Sequence, residues 1–142
     1  MTASTTSLAA DAWKDANHWK AIKGPNLSIY EFDALTVATT QIDEQDDITE
    51  VGYIPDNVTV YGLIFTATDM DTGSAALVYK AIIGTTDVVT GITAGQTATT
   101  AAHYLGTPYT TSGRELLSIK VTTAAATAAQ GTLKVRVLYT AN

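Results

Sequence analysis

The segment Tyr53–Gly84, YIPDNVTVYGLIFTATDMDTGSAALVYKAIIG, decides the fold of this chain. Val58–Thr68 and Ala75–Ile83 are rich in β-branched and aromatic residues, which suit a pleated and half-buried surface. The polar residues between them are typical of a turn. The segment therefore predicts two long strands joined by a polar turn, and the rest of the chain is expected to lay further strands against them.

The first strand of this pair carries apolar residues on both faces. Successive side chains point to opposite faces, so Tyr61, Leu63 and Phe65 share one face and the residues between them, including Ile64, share the other. A strand of an open antiparallel sandwich normally turns one face to water. Another segment of the chain or another subunit is therefore expected to cover it. We predict a homo-oligomer, specifically a trimer, with Tyr61, Leu63 and Phe65 near the interface.

The turn Asp69-Met-Asp-Thr-Gly-Ser resembles the start of a calcium-binding loop. Such a loop needs a carboxylate at its twelfth position, counted with Asp69 as the first, but Lys80 occupies that position. The ninth position is Leu77, which is not a metal ligand. We therefore predict no metal here, and expect Asp69 and Asp71 to make hydrogen bonds within a polar loop with Gly73 at positive φ.

Length and composition bound the class of protein. The 142 residues suit one domain, and the absence of cysteine excludes disulfides and zinc-thiolate sites. A net charge of −6 argues against nucleic acid as a partner. Only 15% of the residues are charged, while Thr and Ala number 26 and 22. This composition indicates an assembly component with much of its surface against neighbours, and no cofactor is expected.

No export or membrane signal is visible in the sequence. Met1–Ala10 has neither a basic start nor a sustained apolar run, and no stretch approaches 18 consecutive apolar residues. We expect a soluble protein with no membrane partner, made and used without export.

The chain divides into an N-terminal arm, residues 1–26, and a β-sandwich domain, residues 27–142. Ser7–Lys23 is the one helix candidate, but Trp13 and Trp19 do not form a convincing apolar stripe with its other residues. These two tryptophans are better explained as anchors. They are expected to bury against the same domain or against a neighbouring subunit.

The remaining strands follow at spacings typical of a sandwich. Alternating residues near the C-terminus predict a final hairpin of two strands with one wet face, and Gly106–Tyr109 is expected to form a turn before it. About eight strands result, which is the count of an antiparallel jelly roll. The other predicted strands are Leu27–Thr40, Ile48–Ile54 and Thr85–Thr93, and Ala94–Ala102 is either a thin edge strand or a long loop.

The sequence offers no catalytic constellation. His18 and His103 lack the context of a base beside a nucleophile. Nothing brings the acids Glu31, Glu50 and Glu115 together around a cleft, and no phosphate-binding glycine loop is present. The acidic run Ile42–Asp47 is interpreted as a solvated turn. We predict that the chain is not an enzyme.

Three motifs resemble small head structural proteins of tailed bacteriophages. They are VGYIPDNVTVYG at Val51–Gly62, TDMDTG at Thr68–Gly73, and GTLKVRVLY at Gly131–Tyr139. Such proteins include capsid decoration, or cement, proteins with jelly-roll-like folds. The resemblance implies a virion protein on the capsid surface, often a trimer at threefold positions, which binds the major capsid protein and stabilises the shell.

Other functions compete with this interpretation. Within the virion, the chain would also suit a head fibre base or a minor tail protein. A carbohydrate-binding β-sandwich is a different class, and it would need an exposed platform of Trp or Tyr. An ice-binding protein would need a regular threonine array, whereas Thr-x-Thr occurs only in isolated places such as Thr66–Thr68 and Thr97–Thr99.

Overall fold

A computed structural model describes residues 27–142, which form nine β-strands and one short 3₁₀ helix, Thr39–Gln41. The predicted arm, residues 1–26 with Trp13 and Trp19, lies outside the described residues. No helix within residues 27–142 is long and apolar enough to cross a membrane. The strands are β1 Ser28–Glu31, β2 Leu35–Val37, β3 Ile48–Ile54, β4 Val58–Ala67, β5 Val78–Ile83, β6 Thr86–Ile92, β7 Thr99–Thr110, β8 Glu115–Thr123 and β9 Gly131–Ala141.

The strands form two antiparallel sheets that pack as a sandwich. The first sheet has the order β1-β9-β4-β7, and β2 also pairs with β9. The second sheet has the order β3-β8-β5-β6. Because β1 and β2 pair with successive parts of β9, they act as one interrupted strand, which leaves four strand positions in each sheet.

Consecutive strands cross from one sheet to the other, with one exception. The chain passes between sheets at every step from β2 to β9 except at β5 and β6, which pair directly. The two residues Gly84 and Thr85 connect them, and Gly84 has a φ of 63° that suits the first position of a tight hairpin turn. This winding confirms the predicted antiparallel β-sandwich of jelly-roll type.

Two predicted hairpins are wrong. The strands β4 and β5 lie in different sheets, and so do β8 and β9. The segments that join them, residues 68–77 and 124–130, are longer than common hairpin loops and can span the ~10 Å between packed sheets. The two strands of each pair therefore face each other across the core and do not exchange ladder hydrogen bonds.

The predicted turn at Gly106–Tyr109 is also wrong. These residues continue β7, which runs for 12 residues along the edge of the first sheet. Pro108 is compatible with this position because an edge strand has one side whose N–H groups need no partner in the sheet. The glycine and proline here therefore mark an irregular edge strand.

A β-bulge in β4 corrects the predicted faces of that strand. Its register against both neighbours shifts between Val60 and Gly62, so the residues that face the core change parity at Tyr61. Val58 and Val60 before the bulge and Leu63 and Phe65 after it are all fully buried. The strand looks apolar on both faces in the sequence because its core face switches, and no second subunit is needed to explain the pattern.

The core lies between the two sheets and is filled mainly by aliphatic residues. Aromatic rings contribute at its centre, where Phe65 and Tyr79 meet edge-on with centroids 6.0 Å apart. The largest fully buried side chains are Tyr79, Tyr139, Phe65, Ile42, Ile54, Leu63, Met70, Leu77, Ile83, Ile92, Leu117 and Leu133.

Candidate interaction surface

The outer face of the first sheet is the strongest candidate for a functional site. The bulge that sends Leu63 and Phe65 inward turns Gly62 and Ile64 outward, into register with β9 and β7. Two rows of side chains then cross the sheet. The central row is Ile29, Leu138, Gly62 and Tyr104, and the row beside it is Glu31, Arg136, Ile64 and Ala102.

Tyr104 dominates the central row. It lies opposite Gly62, and a β-carbon added at Gly62 would lie 3.3 Å from Cδ1 of the tyrosine ring and 3.1 Å from the carbonyl oxygen of His103. The ring therefore rests on the bare backbone that the glycine leaves, an arrangement that protects a strand glycine from solvent. Its other side remains open, because Tyr104 is 75% exposed. Ile29, at the other end of the row, is half exposed.

Threonine pairs flank the central rows on the same face. At one end, the hydroxyls of Thr59 and Thr110 are 2.8 Å apart, and the Asn142 amide donates to the Thr59 hydroxyl at 2.8 Å. At the other end, the hydroxyls of Thr66 and Thr100 are 3.1 Å apart. Because these hydroxyls bond one another, the face between them presents methyl groups, a few aliphatic and aromatic side chains, and the pair Arg136–Glu31.

Charge is sparse on this face. Arg136 Nε lies 3.2 Å from Glu31 Oε1, and both side chains are more than one third exposed. Lys134 stands beside Thr66 in the register of β9 and β4. An exposed pair such as Arg136–Glu31 contributes about 0–1 kcal/mol to stability. The face is therefore nearly neutral, which suits burial against another protein better than long-range attraction.

The outer face of the second sheet also exposes apolar side chains, Ile48 and Tyr53, but it carries more charged pairs. Lys80 Nζ lies 2.9 Å from Asp87 Oδ2, and Lys120 Nζ lies 3.6 Å from Asp46 Oδ1. The Arg114 guanidinium lies 4.2 Å from the centre of the Tyr53 ring. Charged groups of both signs thus occupy this surface and pair with one another, which is typical of a face turned to water.

The predicted turn hydrogen bonds of Asp69 and Asp71 are present, and Asp71 does more than close its own turn. Asp69 Oδ1 accepts from the Asp71 N–H at 3.1 Å. The buried Asp71 carboxylate accepts from the N–H groups of Ala76 at 2.6 Å, Leu77 at 2.8 Å and Thr127 at 2.9 Å. It therefore ties the β4–β5 segment to the β8–β9 segment at one end of the sandwich.

The protonation of Asp71 follows from this arrangement. Desolvation by burial raises the pKa of its carboxyl, but the backbone N–H groups of Ala76, Thr127 and Leu77 outweigh that effect and lower the pKa below its ordinary value. The carboxylate is therefore held ionised with its lone pairs directed at the loops. Among residues 27–142, no three acidic or histidine side chains are grouped so as to hold a metal ion.

The other titratable residues considered from the sequence are dispersed. Glu31 lies in the first sheet, whereas Glu50 and Glu115 lie in the second. Glu115 has a structural role, because it accepts from the Tyr109 hydroxyl at 2.6 Å and from the Ser112 N–H at 2.8 Å. His103 packs its ring edge-on against Phe65, with Nε2 buried and without a hydrogen-bond partner.

The predicted interface residues fall in three places. Trp13 and Trp19 lie outside the described residues. Tyr61 is half buried in the bulge of β4. Leu63 and Phe65 lie inside the core with 0% exposure, so neither side chain contributes to the surface of the described domain. The bulge is the reason for this correction.

Sequence reasoning missed Gly62 and Tyr104 as surface features. The available signal is the glycine itself, because an isolated glycine inside a strand often marks a bulge or a close approach of another group. Its partner Tyr104 lies in a segment without a clear strand pattern, and no local pattern in the sequence places a residue on β7 opposite one on β4. Only the register of the two strands brings them together.

Comparisons with known proteins give a likeness of fold. No protein-family model matches the chain, and no curated protein sequence matches it. A chain in the capsid asymmetric unit of cyanophage Pam1 is 22% identical with a TM-score of 0.65, over 82% of this chain and 86% of that one. A chain in the capsid of Ralstonia phage GP4 is 17% identical with a TM-score of 0.70, over 85% and 88%.

A third structure is less similar. The carbohydrate-binding module CsCBM6-3 of Clostridium stercorarium, in complex with cellobiose, is 13% identical with a TM-score of 0.43, over 84% of this chain and 85% of that one. The resemblance to phage head proteins is thus confirmed at the level of the fold, through the two capsid structures.

Proposed function

We propose that this chain is a non-enzymatic structural protein of a phage virion, of the capsid decoration type. It binds the outer surface of an assembled head through the outer face of the first sheet and stabilises the shell. Its partner is the major capsid protein, its location is the capsid surface, and it is made in the host cytoplasm. The observation that carries the proposal is a fold shared with chains of two phage capsids, together with one nearly neutral outer face.

The character of the first-sheet face supports binding to a protein lattice. Ile29 and Tyr104 expose apolar surface at the two ends of the central row, and Ile64 adds to it between them. Fully burying one such side chain contributes on the order of 2 kcal/mol. Association costs several kcal/mol before any net affinity appears. One copy on one capsid subunit would therefore bind weakly.

We also propose that the protein is a trimer, because a trimer would overcome the weak binding of a single copy. Three copies at a threefold site present three faces and three arms, and linked weak contacts add through effective concentration. Trp13 and Trp19 of each arm are proposed to supply further apolar area against the shell. A protein that binds the assembled shell and not free subunits stabilises assembly by mass action.

The carbohydrate-binding alternative lacks its required platform among the described residues. The two exposed tyrosines, Tyr53 and Tyr104, belong to different sheets, and Arg114 lies over the Tyr53 ring. A sugar ring stacks best on aromatic side chains that share one surface. The arrangement of residues 27–142 therefore favours the structural role.

Deleting residues 1–26 tests the part that the arm plays. We expect the truncated protein to stay folded and oligomeric, but to lose decoration of undecorated heads of a phage whose genome encodes the chain. Co-sedimentation with purified heads, followed by electron microscopy, measures the bound fraction. Light scattering of the free protein checks the trimer.

The outcomes separate the two proposed contacts. Full decoration by the truncated protein would assign binding to the sandwich alone. Loss of decoration by both the truncated protein and the full chain would overturn the proposed function. A full chain that scatters light as a monomer of 14.9 kDa would overturn the trimer.

A further inference from the structure

The four edges of the sandwich are not equally protected against pairing with another strand. The β1–β2 edge consists of strands of 4 and 3 residues, and it carries Glu31. The β3 edge carries Glu50 next to a bulge at Val51, and the β6 edge carries Asp87 and shifts register twice against β5. Short strands, charges and bulges are the devices by which proteins keep sheet edges from pairing.

The fourth edge, β7, lacks these devices over its first half. It is 12 residues long, and among the described residues it pairs only with β4. Its irregularities, a register shift and Pro108, come after Tyr104, so Thr99–Tyr104 pairs regularly with β4 and carries no acidic, lysine or arginine side chain. A long, regular and uncharged edge is a template for strand addition.

We propose that this edge pairs with β7 of a second copy of the chain, antiparallel and centred on Ala102. When a twofold axis perpendicular to the sheet relates the two strands, each residue lies opposite a residue whose side chain is on the same face of the sheet. The two first sheets then join into one continuous sheet of twice the width. The occupant of the edge is thus another copy of this chain.

The distribution of side-chain sizes favours this register. Residues 99–101, before the centre, are threonine and alanine, whereas residues 103–105 are histidine, tyrosine and leucine. Pairing about Ala102 therefore sets each large side chain opposite a small one. On the outer face, Tyr104 faces Thr100. On the inner face, His103 faces Ala101 and Leu105 faces Thr99.

The burial of β7 supports the same conclusion. Its inward-facing residues Ala101, His103 and Leu105 are only partly buried, whereas the inward-facing residues of β4 and β9 are almost wholly buried. A second copy would cover them from the open side. No ion pair is made or broken, so the contact should depend little on salt.

The pair is expected to be weak in free solution. A ladder of about seven residues buries less than the ~1,000 Å² that a stable interface requires. The β7–β7 pair is compatible with a trimer, because a twofold contact would join copies that belong to different trimers. It does not depend on the proposed capsid binding, since it is a property of the purified chain.

Engineered cysteines test the register directly, because the chain has no cysteine of its own. In the proposed pair, the two copies of residue 102 lie directly opposite, at Cα separations of about 4.5–5.5 Å that permit a disulfide. The two copies of residue 100 are offset by four residues, or about 13 Å along the strand. Ala102→Cys should therefore cross-link under mild oxidation, and the matched control T100C should not.

A mixing experiment sharpens the result. T100C and Tyr104→Cys chains, each unable to cross-link alone, should cross-link when mixed, because residue 100 faces residue 104. All three positions are exposed, and circular dichroism checks that each variant is folded. We expect at least about tenfold more cross-linked dimer from A102C than from T100C. Equal yields from A102C and T100C, or no cross-link in the mixture, would overturn the proposal.

Discussion

The two outer faces of this sandwich have the same architecture, and each exposes apolar side chains, but the second carries more charged pairs than the first. Each is a four-position antiparallel sheet over a shared core, and each has a half-buried isoleucine near its middle, Ile64 on β4 and Ile82 on β5. Beside Ile64 stand Ala102 and Arg136, which pairs with Glu31, and threonines and Tyr104 lie further along the same face. Around Ile82 stand ion-paired lysines and aspartate.

The contrast separates what the fold requires from what it leaves free. Both sheets need an apolar inner face, and both have one. Neither requires an outer face of any particular character, so the difference between the outer faces reflects what each meets. Paired charges are stable in water and costly to bury, whereas methyl groups and an aromatic ring lose little when covered. The first-sheet face is therefore the one suited to contact.

The largest expected effect comes from placing a charge in the middle of each face. Ile64→Glu should reduce binding to assembled phage heads by at least about 100-fold, because it would bury a second carboxylate beside the Arg136–Glu31 pair, where Arg136 is the one cation opposite both residues. Ile82→Glu is the matched control and should bind like the unmodified chain. Co-sedimentation over a range of protein concentrations measures both affinities.

An equal loss of head binding in Ile64→Glu and Ile82→Glu would contradict the proposed difference between the two outer faces. Melting temperatures guard against a simpler cause, since each isoleucine is half buried and either substitution could destabilise the fold. The comparison holds only if the two variants melt within a few degrees of each other and still differ in binding.

The next effect concerns the loops that join the two sheets. Asp71→Ala should lower the free energy of unfolding by about 2–4 kcal/mol, because it removes a buried carboxylate and leaves the N–H groups of Ala76, Leu77 and Thr127 without this acceptor. Asp69→Ala is the control and should have a smaller effect, because Asp69 accepts one bond within its own turn. Urea denaturation followed by circular dichroism measures both.

The pKa of Asp71 gives this prediction a pH dependence. Because folding lowers that pKa, the stability it contributes is present above the unfolded value of about 3.9 and is lost as pH falls through the lower folded value. The difference in stability between the unmodified chain and Asp71→Ala should therefore be constant from neutral pH to about pH 5 and shrink in stronger acid. A difference unchanged at pH 2 would contradict the assigned role.

A smaller effect on stability is expected from removing a charge on the second face. Lys80→Ala should change the free energy of unfolding by only about 0–1 kcal/mol, because the Lys80–Asp87 pair is partly exposed and screened by salt. Denaturation at low and at high salt measures the change, which should shrink at high salt. A loss of more than 2 kcal/mol would show that this face contributes to folding more than its exposure implies.

The smallest effect on stability is expected from a substitution inside the core, away from both outer faces. The Tyr79 hydroxyl is buried without a hydrogen-bond partner, and burial raises the pKa of Tyr79. Tyr79→Phe should therefore be neutral or stabilise the fold by up to about 1 kcal/mol. Tyr109→Phe is the contrasting control and should destabilise it, because that hydroxyl donates to Glu115 at 2.6 Å. Thermal melting compares the two.

The strands themselves were largely predictable from the sequence, because strand formation depends on local composition. Ile48–Ile54 forms β3 with the predicted bounds, and the other strands lie at or near their predicted places except β7, which includes the predicted turn Gly106–Tyr109. The polar turn at Asp69–Ser74 was also recognised, including the internal hydrogen bonds of its aspartates. These features involve residues close together in the chain.

The pairing of strands that are distant in the chain was not predictable. Nothing in the sequence of β4 states that its neighbours are β9 and β7, or that its register shifts at Tyr61. The candidate face depends on both facts, because they bring Ile64 and Gly62 outward beside Tyr104. For the same reason Leu63 and Phe65 were expected at an interface and lie in the core.

Electron microscopy of decorated phage heads tests the central claim most directly. Shells saturated with the unmodified chain, at a resolution that distinguishes the two sheets, show which face meets the capsid. The account predicts that the outer face of the first sheet, with Ile64 and Tyr104, lies against the major capsid protein. Density in which the face around Ile82 meets the shell, or heads that bind no protein, would contradict it.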